Sequence, residues 1–182
     1  MNHRTFPVGR KEERLANMAA DESRKSNSGF KLGAVIYQGT KKICAGYNTN
    51  LRTTYRRNIC CTVHAEMDTV TRFLNSFIKI HITRNHDKIR RKMSKYSICV
   101  VRSSMDEDGN VCFMNSLPCR DCLTKLQMVG LNKVIYSDIN DQIKTARISD
   151  IETNLLNWTN VMKRPEVISR LRLKPLIRNY NK

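Results

Sequence analysis

Two short segments constrain the fold more than anything else in the sequence. One is Thr62-Val63-His64-Ala65-Glu66, and the other is Pro118-Cys119-Arg120-Asp121-Cys122. His64, Cys119 and Cys122 are ligand types that zinc prefers, and a catalytic zinc takes three protein ligands and keeps a fourth position for water. A fold that serves this chain must therefore carry two distant points of the sequence to one place. Cys119 and Cys122 are three apart, so at the start of a helix they share a face. The positive end of the helix dipole there favours thiolates. His64 and Glu66 are two apart, and both can reach past the start of a helix because side chains tilt towards its N-terminus. Thr62 is the expected N-cap of that helix. The reading is two helix N-termini meeting over one metal, with His64, Cys119 and Cys122 as ligands. Glu66 stands outside the ligand set as general acid and base.

Cys60 and Cys61 open a rival reading. Cys61 with His64, Cys119 and Cys122 would make a closed site of three Cys and one His, and closed four-ligand sites are structural. Zinc-finger pairs lie closer together in sequence than these two segments do. A structural site also gives Glu66 nothing to do.

His-x-Glu followed by Pro-Cys-x-x-Cys resembles the zinc-dependent cytidine and deoxycytidylate deaminase superfamily. The resemblance runs over roughly Lys31 to Asp138 and is nearest the deoxycytidylate branch. It implies a three-layer α/β/α fold with a mixed central sheet, and Zn2+ as cofactor. It implies hydrolytic deamination at C4 of a cytosine, or C6 of an adenine, with Glu66 moving the protons. The substrate is then a nucleotide such as dCMP, or a base within single-stranded nucleic acid. By the same resemblance Asn48 contacts sugar and base, and Ala65 and Cys119 offer backbone N–H groups. For Asn48 the alternative is a turn residue. Ser116, just before Leu117-Pro118, is a candidate for the pocket rim, and Arg52, Arg56 and Arg57 are candidates to hold a phosphate. The second function class is a catalytically silent deaminase fold acting as a structural or nucleic-acid-associated component, since fold does not fix function.

The composition sets the surroundings of this site. Hydrophobic residues make up 40% of the 182 residues, enough for a core and against global disorder. No apolar run is long enough for a membrane helix, and Met1 to Arg10 lacks the apolar core of a secretory signal. An intracellular protein, free or in a particle and able to self-associate, is the expectation. Seven cysteines make an odd set without framework spacing, so Cys44, Cys99 and Cys112 are read as ordinary thiols. The net charge of +17 points to a polyanionic partner or an anionic substrate, with a solvated basic surface as the plain alternative. Lys79–Lys95 and Lys163–Lys182 each carry seven basic residues and one acidic residue, and so hold twelve of the seventeen net charges.

Pattern along the chain predicts a helix over Lys11–Lys25, ended by Ser26-Asn27-Ser28-Gly29. A hairpin follows, Leu32–Tyr37 and Ile43–Tyr47 around Gly39, and then a loop over Asn48–Arg57. Helices are predicted over Thr62–Phe77 and Cys119–Val129, the latter stopped by Gly130. Strands are predicted over Tyr96–Arg102, Val111–Met114 and Lys133–Ser137. Lys79–Lys95 reads as a solvated basic insertion without core periodicity. Residues 1–140 form the expected deaminase-like domain. Residues 141–182 form a basic, helical extension, with helices over Ile148–Trp158 and Val161–Leu173.

Overall fold

The computed structural model describes residues 9–55, 58–81 and 86–153, with the side chains of 51–61, 77–81 and 86 left aside. Its centre is a mixed sheet covered by helices on both faces. The strands that form the middle show why. β1 (Lys31–Gln38) runs Ala34-Val35-Ile36-Tyr37 without a polar interruption, and β5 (Ser97–Met105) runs Ile98-Cys99-Val100-Val101. A strand that is apolar on every residue is buried on both faces. Successive side chains point to opposite faces, and the two cores divide accordingly. Ala34, Ile36, Ile98 and Val100 pack into one cluster. Val35, Tyr37, Cys99 and Val101 pack into the other.

The second cluster is closed by α1 (Arg10–Ser23), which buries Leu15, Ala16, Ala19 and Ala20. Its alanines let the helix lie close to the sheet, and Gly33 lets it lie closer still. A Cβ at Gly33 would sit 1.9 Å from the Ala19 carbonyl oxygen. The first cluster is closed by α2 (Ala65–His81), α3 (His86–Met93) and α4 (Arg120–Val129). These three helices present Val70, Phe73 and Leu74, then Ile89 and Met93, then Leu123, Leu126 and Val129.

The sheet runs in the order β2 (Lys41–Tyr47), β1, β5, β7 (Lys133–Ser137), β8 (Ile143–Arg147). β6 (Val111–Met114) also pairs with β5. β5 and β7 are parallel and every other pair is antiparallel. β5 is shared along its length: Ile98–Val100 lie beside β7, and Arg102–Met105 lie beside β6. The fork between β6 and β7 is where the chain turns towards Cys119. It is filled by Ser116 and Ser137. Ser116 Oγ donates to the Val100 carbonyl at 2.7 Å, and the Ser137 N–H donates to Ser116 Oγ at 2.8 Å.

The segment expected as a loop over Asn48–Arg57 is largely strand. β3 (Thr49–Tyr55) pairs with β4 (Asn58–Val63) as a separate two-stranded sheet. Thr53, Thr54 and Tyr55 are strand formers, but with polar residues on both faces they show no alternation to read. Thr62 is correspondingly a strand residue paired with Asn50, not a helix cap. The basic insertion also differs from expectation. Ile89 and Met93 are four apart on α3, 6% and 0% exposed, so this stretch is a core helix with a charged outer face. The boundary expected at residue 140 falls inside the sheet, between β7 and its partner β8. Ile148–Asp150 is a single 3-10 turn, and the rest of the predicted C-terminal extension, 154–182, lies outside the described residues. Among the described residues no helix is long and apolar enough to cross a membrane.

Candidate metal centre and active site

His64 sits at the junction of β4 and α2. Its carbonyl accepts the first helical hydrogen bond, from the Asp68 N–H at 2.9 Å, so His64 itself occupies the N-cap position. Cys119 is the N-cap of α4 and its carbonyl accepts the Leu123 N–H at 2.9 Å. Cys122 is one turn in, on the buried face. Two helix N-termini thus converge, and the cap of α2 is His64 rather than Thr62.

His64 Nδ1 lies 3.3 Å from Cys122 Sγ and 3.7 Å from Cys119 Sγ. The three ligand atoms lie within 4.8 Å of one another. With the usual zinc–nitrogen and zinc–sulfur lengths, a tetrahedral site separates nitrogen and sulfur by about 3.6 Å. The donor set and its spacing therefore fit Zn2+. The local electrostatics fit as well. The Cys122 thiol donates towards Cys119 and, with His64, holds the Cys119 thiol down at about 4 despite burial. The same contact, with burial, pushes Cys122 well up. Burial by itself lowers His64, but the contact with Cys119 and the charge of Glu66 outweigh it and raise it.

Glu66 is in the first turn of α2 and is 2% exposed. Burial raises its carboxyl above the usual range, and the nearby His64 charge opposes that. Among the described residues, two buried side-chain polar atoms have no hydrogen-bond partner: Glu66 Oε2 and Thr62 Oγ1. Buried polar atoms are nearly always paired, so each exception needs a reason. Both flank His64.

The other predicted residues divide. Ala65 begins α2, fully buried beside His64. Asn48 directly follows β2, but its amide is already engaged. Its Oδ1 accepts the Leu32 N–H at 2.8 Å and its Nδ2 donates to the Phe30 carbonyl at 2.6 Å. Ser116 is 2% exposed and spends its hydroxyl on the Val100 and Ser137 carbonyls in the fork between β6 and β7, so it is no rim residue. Arg52 is in β3 with its side chain outside the described residues, and Arg56 and Arg57 lie outside them altogether. Cys61 is in β4, and its side chain too lies outside them. Phe30 and Arg102 were not singled out by sequence. The Arg102 guanidinium lies 4.4 Å from the centroid of the Phe30 ring, which is 64% exposed. The available signal was a lone arginine ending the apolar run Ile98–Val101, and an aromatic residue between a glycine and a strand.

The sequence matches the family "Cytidine and deoxycytidylate deaminase zinc-binding region" over residues 10–138. The chain belongs to this family. The matched region contains His64, Glu66, Cys119 and Cys122 and all the elements from α1 to β7. Among solved structures, cytidine deaminase from Burkholderia pseudomallei is similar at 16% identity and a TM-score of 0.52, covering 79% of this chain and 98% of that one. The dCMP deaminase of cyanophage S-TIM5 is 18% identical with a TM-score of 0.44, covering 74% and 88%. A mutant cytidine deaminase from Mycobacterium tuberculosis is 17% identical with a TM-score of 0.44, covering 80% and 97%. A search of curated protein sequences gives no significant match. The fold of this deaminase-family chain is the mixed α/β arrangement of the Burkholderia enzyme.

Proposed function

We propose that this chain is a zinc-dependent hydrolase that deaminates the cytosine of a nucleotide. The observation that carries the reading is Glu66 Oε2, buried and unpartnered beside three atoms spaced to hold zinc. His64, Cys119 and Cys122 would hold the ion, and Zn2+ bound there supplies a Lewis acid that lowers the pKa of water towards neutrality. Glu66 does the proton work. It takes a proton from the attacking water and passes it to the ring nitrogen beside C4, then takes the second proton from the hydroxyl formed at C4 and delivers it to the departing amine. Water oxygen ends as the C4 carbonyl oxygen and ammonia leaves. A carboxyl raised by burial suits both directions of transfer, because general acid–base groups work best near the operating pH. The first turns of α2 and α4 position the ligands and keep the site dry from below through Ala65, Cys122 and Leu123, all buried.

A second reading, cytosine or adenine within single-stranded nucleic acid, is favoured by one observation. α3 turns Ile89 and Met93 inward and leaves Arg91 and Lys95 exposed at its end, on a chain of net charge +17. The test is a deamination assay over dCMP, CMP, cytidine and single-stranded oligonucleotides, with Glu66→Ala as control. Turnover of one of the first three supports the main reading. Turnover of the oligonucleotides alone transfers support to the second. A folded, zinc-loaded protein without turnover on any of them leaves the silent structural component.

A further inference from the structure

Arg102 is an uncommitted cation at the end of the sheet from which both ligand segments depart. Strand alternation fixes its face. Val100 belongs to the core cluster under α2 and α4, and Val101 to the cluster under α1. Arg102 therefore points to the α2–α4 face, the face of the metal centre. Register fixes its end. On one side Arg102 pairs with Leu32, whose carbonyl accepts the Asn48 N–H; Thr49 then pairs with Val63, the residue before His64. On the other side Arg102 pairs with Met114, and the chain runs from there through Ser116 and Pro118 to Cys119. Arg102 thus lies between the two arms that deliver the ligands.

Its charge has no acidic partner among the described residues. The ion pairs formed there by Arg24, Lys25, Lys42, Arg72 and Lys144 do not include it. What it has is the Phe30 ring, against which the guanidinium is held. The ring lies against the guanidinium, and the Phe30 carbonyl is in turn held by Asn48 Nδ2. A planar guanidinium that is half-buried and has no acidic partner among the described residues is a ready hydrogen-bond donor for a carboxylate or phosphate. Cytosine and its sugar are neutral at pH 7. The anionic group that a cytosine substrate brings is phosphate.

We propose that Arg102, oriented by Phe30, holds the phosphate attached to the substrate's sugar, and so makes this site specific for a phosphorylated cytosine nucleotide over the nucleoside. The assignment rests on the deaminase reading above for the identity of the ligand. Its test is therefore made by binding, which does not require turnover. Zinc-loaded full-length protein is titrated calorimetrically with dCMP, with deoxycytidine and with a short oligodeoxynucleotide carrying one internal cytosine. The wild type binds dCMP or the oligonucleotide at least about tenfold more tightly than deoxycytidine, as a charge-assisted contact requires. Which of the two is preferred tells a phosphate monoester from a diester. Arg102→Gln, which keeps a planar group against Phe30, loses that preference; Arg102→Lys, which keeps the charge without the fork, retains part of it. Equal affinity of the wild type for dCMP, oligonucleotide and deoxycytidine overturns the proposal. So does a phosphate preference that survives in Arg102→Gln, or an equal weakening of all three ligands, which would make Arg102 only a support for Phe30. Phosphate-dependent binding without turnover would leave Arg102 in place and remove the deaminase reading instead.

Discussion

Glu66 and Ser116 are both buried polar residues near the metal centre, and their hydrogen bonds separate their roles. Glu66 has an oxygen with no partner; Ser116 has none to spare. Replacing Glu66 by Gln removes the proton carrier and leaves the ligands untouched. The expected outcome is full zinc content, an unchanged melting temperature and turnover lower by roughly 10²–10⁴. Metal analysis beside an assay checks this, and normal turnover in the purified variant would take Glu66 out of the mechanism. Ser116→Ala has the opposite signature. It strands the Val100 carbonyl and the Ser137 N–H in a buried fork, at about 1–3 kcal/mol. Denaturant unfolding should show that loss. A changed KM at unchanged stability would restore Ser116 to the pocket rim.

At the scale of elements, Gly46 on β2 sets how closely α2 approaches the sheet. A Cβ there would lie 2.6 Å from Asp68 Oδ2 and 2.8 Å from the Thr69 backbone nitrogen. Gly46→Ala must displace the helix that begins beside His64. It should cost about 1–3 kcal/mol, which in a chain of this size is roughly 2–4 °C of Tm per kcal/mol, and it should weaken zinc binding as well. An unchanged Tm would show that α2 yields freely. The elements that sequence revealed are those whose burial is one-sided or complete. β1, β5 and β7 are unbroken apolar runs, and α4 ends at a left-handed Gly130 with φ 96. β3 and β4 escaped because Thr49, Asn50, Thr53 and Thr54 offer no apolar face, so the pairing that places Val63 and His64 leaves no pattern. α3 escaped because two inward residues, Ile89 and Met93, are outnumbered by the charges around them. The clustering of His64, Cys119 and Cys122 was legible because ligand chemistry admits few residue types. Arg102 was not, because what matters about it is a cross-strand neighbour, Leu32, and a ring seventy-two positions earlier, at Phe30.

For the whole molecule the dominant quantity is the net charge of +17. If the exposed cations engage a phosphate backbone, binding to single-stranded nucleic acid should show little sequence preference. With about six phosphates contacted, affinity should fall on the order of 10³-fold from low to moderate salt. Deleting Lys163–Lys182 should lower that salt slope while zinc stays bound. An anisotropy titration decides, and no binding at low salt by folded, zinc-loaded protein would confine the chain to small substrates. The central claim is that three residues from two helix N-termini hold a zinc at which Glu66 deaminates a cytosine nucleotide. It is tested most directly by following ammonia release from dCMP by the zinc-loaded protein, by the same sample after metal removal, and again after zinc is returned. The account predicts turnover with one zinc per chain, loss on removal and recovery on return. Turnover that persists in the metal-free protein, or a folded protein that carries one zinc and releases no ammonia, would contradict it.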